Sequence, residues 1–129
     1  MAFSIYVVLN EVLNCHEYPL REIMDRYFST DYRQRTNGHW DDRESFHRHL
    51  CKLREIVVSA EVIVLDELRN DNLYADRHRV HVVKKDGATV VQEVYLFARL
   101  DADGRALSIE ETTLQLEGAE ADCDLGNIK

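Results

Sequence analysis

A chain of 129 residues with a formal net charge of −8 has the length of one domain and the wrong sign for general attraction to nucleic-acid phosphates or an anionic membrane surface. Its three cysteines, Cys15, Cys51 and Cys123, are odd in number and lack metal-knuckle spacing, which points to a reduced, cytoplasmic protein with no metal and no cofactor. No apolar run is long enough to span a bilayer and no signal-peptide pattern opens the chain, so neither nucleic acid nor membrane is an expected partner.

From Ser4 to Leu13, Ile5, Val8, Leu9, Val12 and Leu13 recur at helical spacing and predict an amphipathic helix. Pro19 breaks the chain before a second helical piece from Leu20 to Phe28. Tyr32 to Thr36 reads as a short extended segment closed by the turn pair Asn37-Gly38. Asp41, with Glu44 three residues on, reads as a capping box opening a third helix that runs to about Ser59. Phe46, Leu50, Leu53 and Val57 form its apolar stripe, and His49 lies beside that stripe, facing inward.

Four long strands follow: Val62 to Leu68, two runs flanking Asp86-Gly87, and a last strand from about Arg105 to Leu116. Helices first and antiparallel strands after is an α+β pattern, with helices packed on one side of a strongly curved antiparallel sheet. The whole chain, 1–129, reads as a single domain, with 117–129 an acidic tail along the surface.

Asp86-Gly87 favours a two-residue type I′ hairpin. That closure pairs His78 with Tyr95, Val80 with Glu93 and Asp76 with Phe97, and puts all of them on one face. Valine, tyrosine and phenylalanine around Asp76, His78 and Glu93 describe the floor of a ligand cavity. The opposite face, with Arg77, Arg79, Val90, Val94 and Leu96, is then free for a partner subunit, so a homodimer through the outer sheet face is expected. A four-residue loop before the last strand turns Glu110 and Thr112 inward, and a one-residue slip exchanges Glu110 for Glu111.

Within this pocket His78 suits a general base near neutral pH, and Glu93, flanked by valines, is expected to have a raised pKa. Asp76 and Tyr95 complete the catalytic candidates. His49, Tyr32, Arg35, Phe97, Glu110 and Thr112 are the ligand-binding candidates, and none of these residues has metal-site spacing.

The element order, the run Phe28-Ser29-Thr30-Asp31-Tyr32-Arg33-Gln34-Arg35-Thr36-Asn37-Gly38 and the hairpin Phe97…Asp103-Gly104-Arg105 together resemble the nuclear transport factor 2-like superfamily, its SnoaL-like, polyketide cyclase-like branch. The resemblance implies a cone-shaped α+β barrel around a pocket, commonly dimerised through the sheet. It also implies an Asp or His base facing a Tyr or acid, a role open here to Tyr95, Tyr32 or Glu110. The function expected is small-molecule binding, with isomerase, cyclase or dehydratase chemistry on a mostly apolar carbonyl or polycyclic compound. The alternative is a non-catalytic dimerisation or protein-interaction module of the same fold.

Overall fold

The Ser4 hydroxyl accepts a hydrogen bond from the Val7 amide at 3.4 Å and starts the first helix, Ile5–Asn14 (α1), in a computed structural model that describes residues 2–129. Pro19 precedes the second helix, Leu20–Tyr27 (α2), which buries Leu20, Ile23, Met24 and Tyr27. The third helix, Arg43–Ile56 (α3), is capped one residue later than the capping box suggests: Asp42, not Asp41, accepts from the Ser45 amide, at 2.8 Å. Glu44 is left to pair with Arg21 at 2.8 Å on the surface. The helix also stops short of Ser59, because the β-branched pair Val57-Val58 begins a strand there.

The strands are Phe28–Thr36 (β1), His39–Asp42 (β2), Val57–Asn70 (β3), Leu73–Lys84 (β4), Thr89–Leu100 (β5) and Ala106–Glu117 (β6). They form one sheet in the order β2-β1-β6-β5-β4-β3. All neighbours are antiparallel except β1 and β6, which run parallel, so the sheet is mixed and not wholly antiparallel as expected. The parallel pair covers an edge that β6 would otherwise leave open after the β3–β6 meander. Helices pack on the inner face, and Phe28, Tyr32 and Phe46 join β1 to α3 through ring centroids 4.7 to 5.1 Å apart.

Four hairpin turns fix the registers, the one between β3 and β4 through Asp71, whose φ is 53°. Asn37 and Gly38 both have positive φ, 52° and 85°, and close a two-residue turn between β1 and β2. Asp86-Gly87 does not do the same. Only Gly87 is left-handed, at 87°, and Lys84 pairs with Ala88 across the three-residue loop Lys85-Asp86-Gly87. The Asp86 carboxylate accepts from the Ala88 amide at 2.9 Å, which holds Asp86 itself in ordinary backbone. Ala102-Asp103-Gly104 repeats the device, with Gly104 at 82° and Asp101 opposite Arg105.

One extra loop residue turns β5 over relative to the expected pairing. His78 lies opposite Val94, Arg79 opposite Glu93, and Arg77 opposite Tyr95. The inner face of β5 is therefore Val90, Gln92, Val94, Leu96 and Ala98, all buried, while Glu93, Tyr95 and Phe97 lie on the outer face. This register buries four apolar side chains and gives Glu93 a cation, the Arg79 guanidinium at 3.0 Å. The expected register would have buried Glu93 without one.

Segment 117–129 is more than a surface tail. It forms short 3-10 turns at Glu120–Asp122 and Leu125–Asn127 and buries Leu125 against the core. Arg54, from α3, donates to four main-chain oxygens, those of Val12 (2.7 Å), Cys15 (2.8 Å), Glu11 (3.1 Å) and Tyr18 (3.3 Å). These are the orphan carbonyls at the end of α1 and in its connection to α2. Arg54→Ala is expected to cost about 2 kcal/mol in urea unfolding, since charge-assisted bonds are lost and carbonyls are left unpaired. Arg54→Lys, with a single ammonium, should recover only part of it.

Candidate active site

Between the sheet's inner face and helices α1 and α3 lies a cavity of about 120 Å³. Most of its wall is aliphatic, from Ile5, Val8, Val12, Leu50, Val82, Val94 and Leu96 among others, and the lining residues include no lysine or arginine. Polar groups enter it from separate elements: His49 from α3, His78 from β4, Gln34 from β1, Gln92 from β5, and Glu111 and Thr113 from β6.

His78 is 2% exposed, and its Nδ1 lies 2.7 Å from Asp76 Oδ1. A carboxylate only accepts, so Nδ1 carries the proton, and in the neutral ring Nε2 is a free base. Behind it, the Tyr74 hydroxyl sits 3.0 Å from Asp76 Oδ2 and 2.6 Å from Glu67 Oε2. Burial pushes the Tyr74 phenol well up, and the same hydroxyl holds the Glu67 carboxyl below its usual range, with help from Arg69. The hydroxyl has one proton and serves one carboxylate at a time, so Asp76 is held chiefly through His78 Nδ1, and it fixes that ring in turn.

Glu111 is the acid opposite. Its Oε1 accepts from Thr36 Oγ1 at 3.2 Å and from Gln34 Nε2 at 3.3 Å, while Tyr32 donates to Gln34 Oε1 at 2.5 Å from outside the cavity wall. The carboxyl is enclosed by protein, while the residue borders both the cavity and a second groove and keeps partial accessibility. Burial raises its pKa, against the opposing effects of the His78 charge and the Thr36 hydroxyl. Burial pushes the His49 imidazole down instead, partly offset by its 2.6 Å hydrogen bond from Nδ1 to the Ile128 carbonyl. In the neutral ring the proton sits on Nδ1, where the Ile128 carbonyl accepts it, and Nε2 is left as an acceptor.

The expected site residues divide between two faces. His78 and His49 line the cavity; Asp76 lies directly behind His78, and Tyr32 behind Gln34. Glu93, Tyr95, Phe97, Arg35, Glu110 and Thr112 do not line it. The register of β5 turns Glu93, Tyr95 and Phe97 outward, a register shift at Leu107 does the same to Glu110 and Thr112 on β6, and Arg35 lies opposite Glu110 on β1; all of these except Glu93 border the second groove, together with Asp76, Leu96 and Glu111. Glu93 also reverses its expected pKa: the Tyr95 hydroxyl and then Arg79 pull it below the carboxylate norm. Glu111 and Thr113 take the inward positions expected of Glu110 and Thr112. Gln34 and Gln92 escaped notice because a single glutamine carries no spacing signal; their alternation with Tyr32 and Thr36, and with Val90 and Val94, was the readable clue. Among the described residues, no group of three or more His, Cys, Asp and Glu is arranged to hold a metal ion, and no helix is long and apolar enough to cross a membrane.

No family model matches the chain. An uncharacterized protein of Schizosaccharomyces pombe is 29% identical over 108 residues, covering 84% of this chain and 82% of its own. Among solved structures, an NTF2-like protein of unknown function from an Exiguobacterium species superposes with a TM-score of 0.67 at 14% identity, over 84% of this chain and 96% of its own. A hypothetical Catenulispora acidiphila protein with a ketosteroid isomerase-like fold, solved with trimethylamine, gives 0.68 at 12% identity over 96% and 95%. IdmH of Streptomyces antibioticus, provisionally assigned as a polyketide cyclase, gives 0.65 at 15% over 94% and 93%. The chain has the nuclear transport factor 2-like fold of the SnoaL and ketosteroid isomerase kind.

Because the folded-state pKa of Glu111 is raised, its proton is retained when the unfolded chain has already lost it. Its burial carries no ionisation penalty below the unfolded value of 4.5, and stability is lost as pH rises from there through the raised value. Glu111→Gln should therefore gain stability relative to the parent protein across that rise and show a constant difference below it. Urea unfolding at a series of pH values measures this; two parallel curves would contradict the assignment.

Proposed function

We propose that the cavity binds a compact, mostly apolar carbonyl compound and that the protein catalyses proton transfer at the carbon beside its carbonyl. One observation carries the reading: an aspartate-held histidine and a buried carboxyl of raised pKa face the same apolar cavity. His78 Nε2 takes the proton, and Asp76 stabilises the imidazolium that results. Protonated Glu111 donates to the carbonyl oxygen and stabilises the enolate, and return of the proton at another carbon gives an isomer. The neighbours' names, a ketosteroid isomerase-like fold and a polyketide cyclase assignment, support an enzyme of this class. A volume near 120 Å³ favours a compact substrate over a polycyclic one. With no lysine or arginine in the wall, an uncharged substrate is preferred to a carboxylate, which would lie unpaired near Glu111. The open space also favours this reading over a non-catalytic module with a filled interior.

The test is deuterium uptake from heavy water into small cyclic ketones, followed by proton NMR. His78→Gln is expected to slow uptake by about 100-fold or more. Glu111→Gln, which keeps a donor but cannot lower its charge, should slow it less. A parent protein no faster than the His78 variant would overturn the proposal.

The outer sheet face is proposed to pair with a second copy of the chain. Val90, Val94 and Leu96, expected there, are buried inside; Tyr95, Phe97 and Leu114 are the exposed apolar residues that take their place, at 45%, 43% and 54%. Phe97→Asp should convert a dimer to a monomer in sedimentation equilibrium; a parent protein that sediments as a monomer at micromolar concentration would sink the idea.

A further inference from the structure

One wall of the cavity is attached unlike the others. The chain leaves β6 at Gly118, whose φ of 135° a side chain would resist, and continues through residues 119–129 across the cavity. Outside helices and strands, the backbone hydrogen bonds of this segment among the described residues all fall within it, such as Asp122 to Ala119 and Asn127 to Asp124. Side chains make the tethers: Lys84 Nζ to Asp122 Oδ1 (2.9 Å), Gln92 Nε2 to the Asp122 carbonyl (3.1 Å), Asn127 Nδ2 to the Thr36 carbonyl (3.1 Å), His49 Nδ1 to the Ile128 carbonyl (2.6 Å), Gln115 Nε2 to the Ala119 carbonyl (2.8 Å) and Lys129 Nζ to Asp41 Oδ2 (3.2 Å). Leu125 is the apolar anchor, and with Gly126 it lines the cavity. Such an element can lift without breaking the sheet.

We propose that segment 119–129 is the gate of the cavity and His49 its latch, so that ligand admission and the hydrogen-bonding state of His49 change together. This rests on the cavity being the ligand site. Closed, the Ile128 carbonyl accepts a hydrogen bond from His49 Nδ1–H and leaves Nε2 as an acceptor toward the ligand. Open, Nδ1 loses its partner and the ring is free to exchange tautomers. A compact uncharged ligand is thus met by a fixed acceptor only once the gate has shut behind it.

Gly126 offers a test in the full-length protein. A Cβ there would come within 3.0 Å of Thr36 Cγ2, while its φ lies outside the left-handed region, so Gly126→Val props the segment open through volume alone. The probe is fluorobenzene, since a cavity of this order accepts benzene or xenon. Fluorine NMR should show the probe entering and leaving at least tenfold faster in Gly126→Val than in the parent. Nitrogen NMR should show His49 moving from the Nδ1-protonated form to a mixture of tautomers. Asp122→Ala combined with Asn127→Ala adds no volume, removes two tethers and should act in the same direction, and it decides the matter if Gly126→Val does not fold. Equal exchange rates with an unchanged His49 would overturn the gate and leave the ligand site standing. Failure of the probe to enter any of the three proteins would overturn both.

Discussion

A β-strand shows its side chains to two faces by turns, so the number of residues in a hairpin loop decides what the cavity contains. Here that number is three at both Lys85-Asp86-Gly87 and Ala102-Asp103-Gly104, and each loop ends on a left-handed glycine. The face of β5 follows from the first loop; that of β6 follows from the second loop together with a register shift at Leu107, where the pairing passes from Leu100–Ala106 to Arg99–Ser108. Val94, Leu96, Glu111 and Thr113 turn toward the helices, while Glu93, Tyr95, Glu110 and Thr112 turn away. The two faces acquire different electrostatics from the same strands. Outside, arginines meet carboxylates at the surface, as in Arg77 with Asp66 at 3.0 Å. Inside, no cation is present, and ionisable groups are held by hydrogen bonds alone.

That inner arrangement works because the carboxyl, the two histidines and the two glutamines each have a hydrogen-bond partner. His78 leans on Asp76, Asp76 on Tyr74, and Tyr74 on Glu67 at the sheet's margin. Glu111 is held through Thr36 and Gln34, with Tyr32 behind them. The two chains run in from opposite sides of the sheet and leave a base and an acid as their inner ends. In a low-dielectric space such fixed groups interact with a neighbouring dipole more strongly than they would in water, and without reorganising first.

Much of this was legible. The stripe Phe46, Leu50, Leu53 correctly turned His49 inward, because a helix face is set by local spacing and needs no partner to define it. Asp76 and His78 were placed on the inner face of β4 by alternation with Val80 and Val82. The face of β5 was not legible from the turn dipeptide, since Asp-Gly serves both two-residue and three-residue loops and only the side-chain bond from Asp86 to the Ala88 amide separates them. A weighing of burial would have found it: Val90, Val94, Leu96 and Ala98 form the more apolar set, and Glu93 has arginines across the strand on the other side. The parallel β1–β6 pair and the docking of Leu125 depend on contacts distant in sequence, which no local pattern records.

The enclosure of Glu111 gives this chain a direction in which it would become sturdier and less useful. Wall atoms around an empty space lack neighbours, and a carboxyl kept from water surrenders its hydration. A methionine or leucine at that position would remedy both at once, and would erase the one carboxyl among the lining residues. A conservative route to a more heat-resistant protein therefore runs through the group on which the proposed chemistry depends.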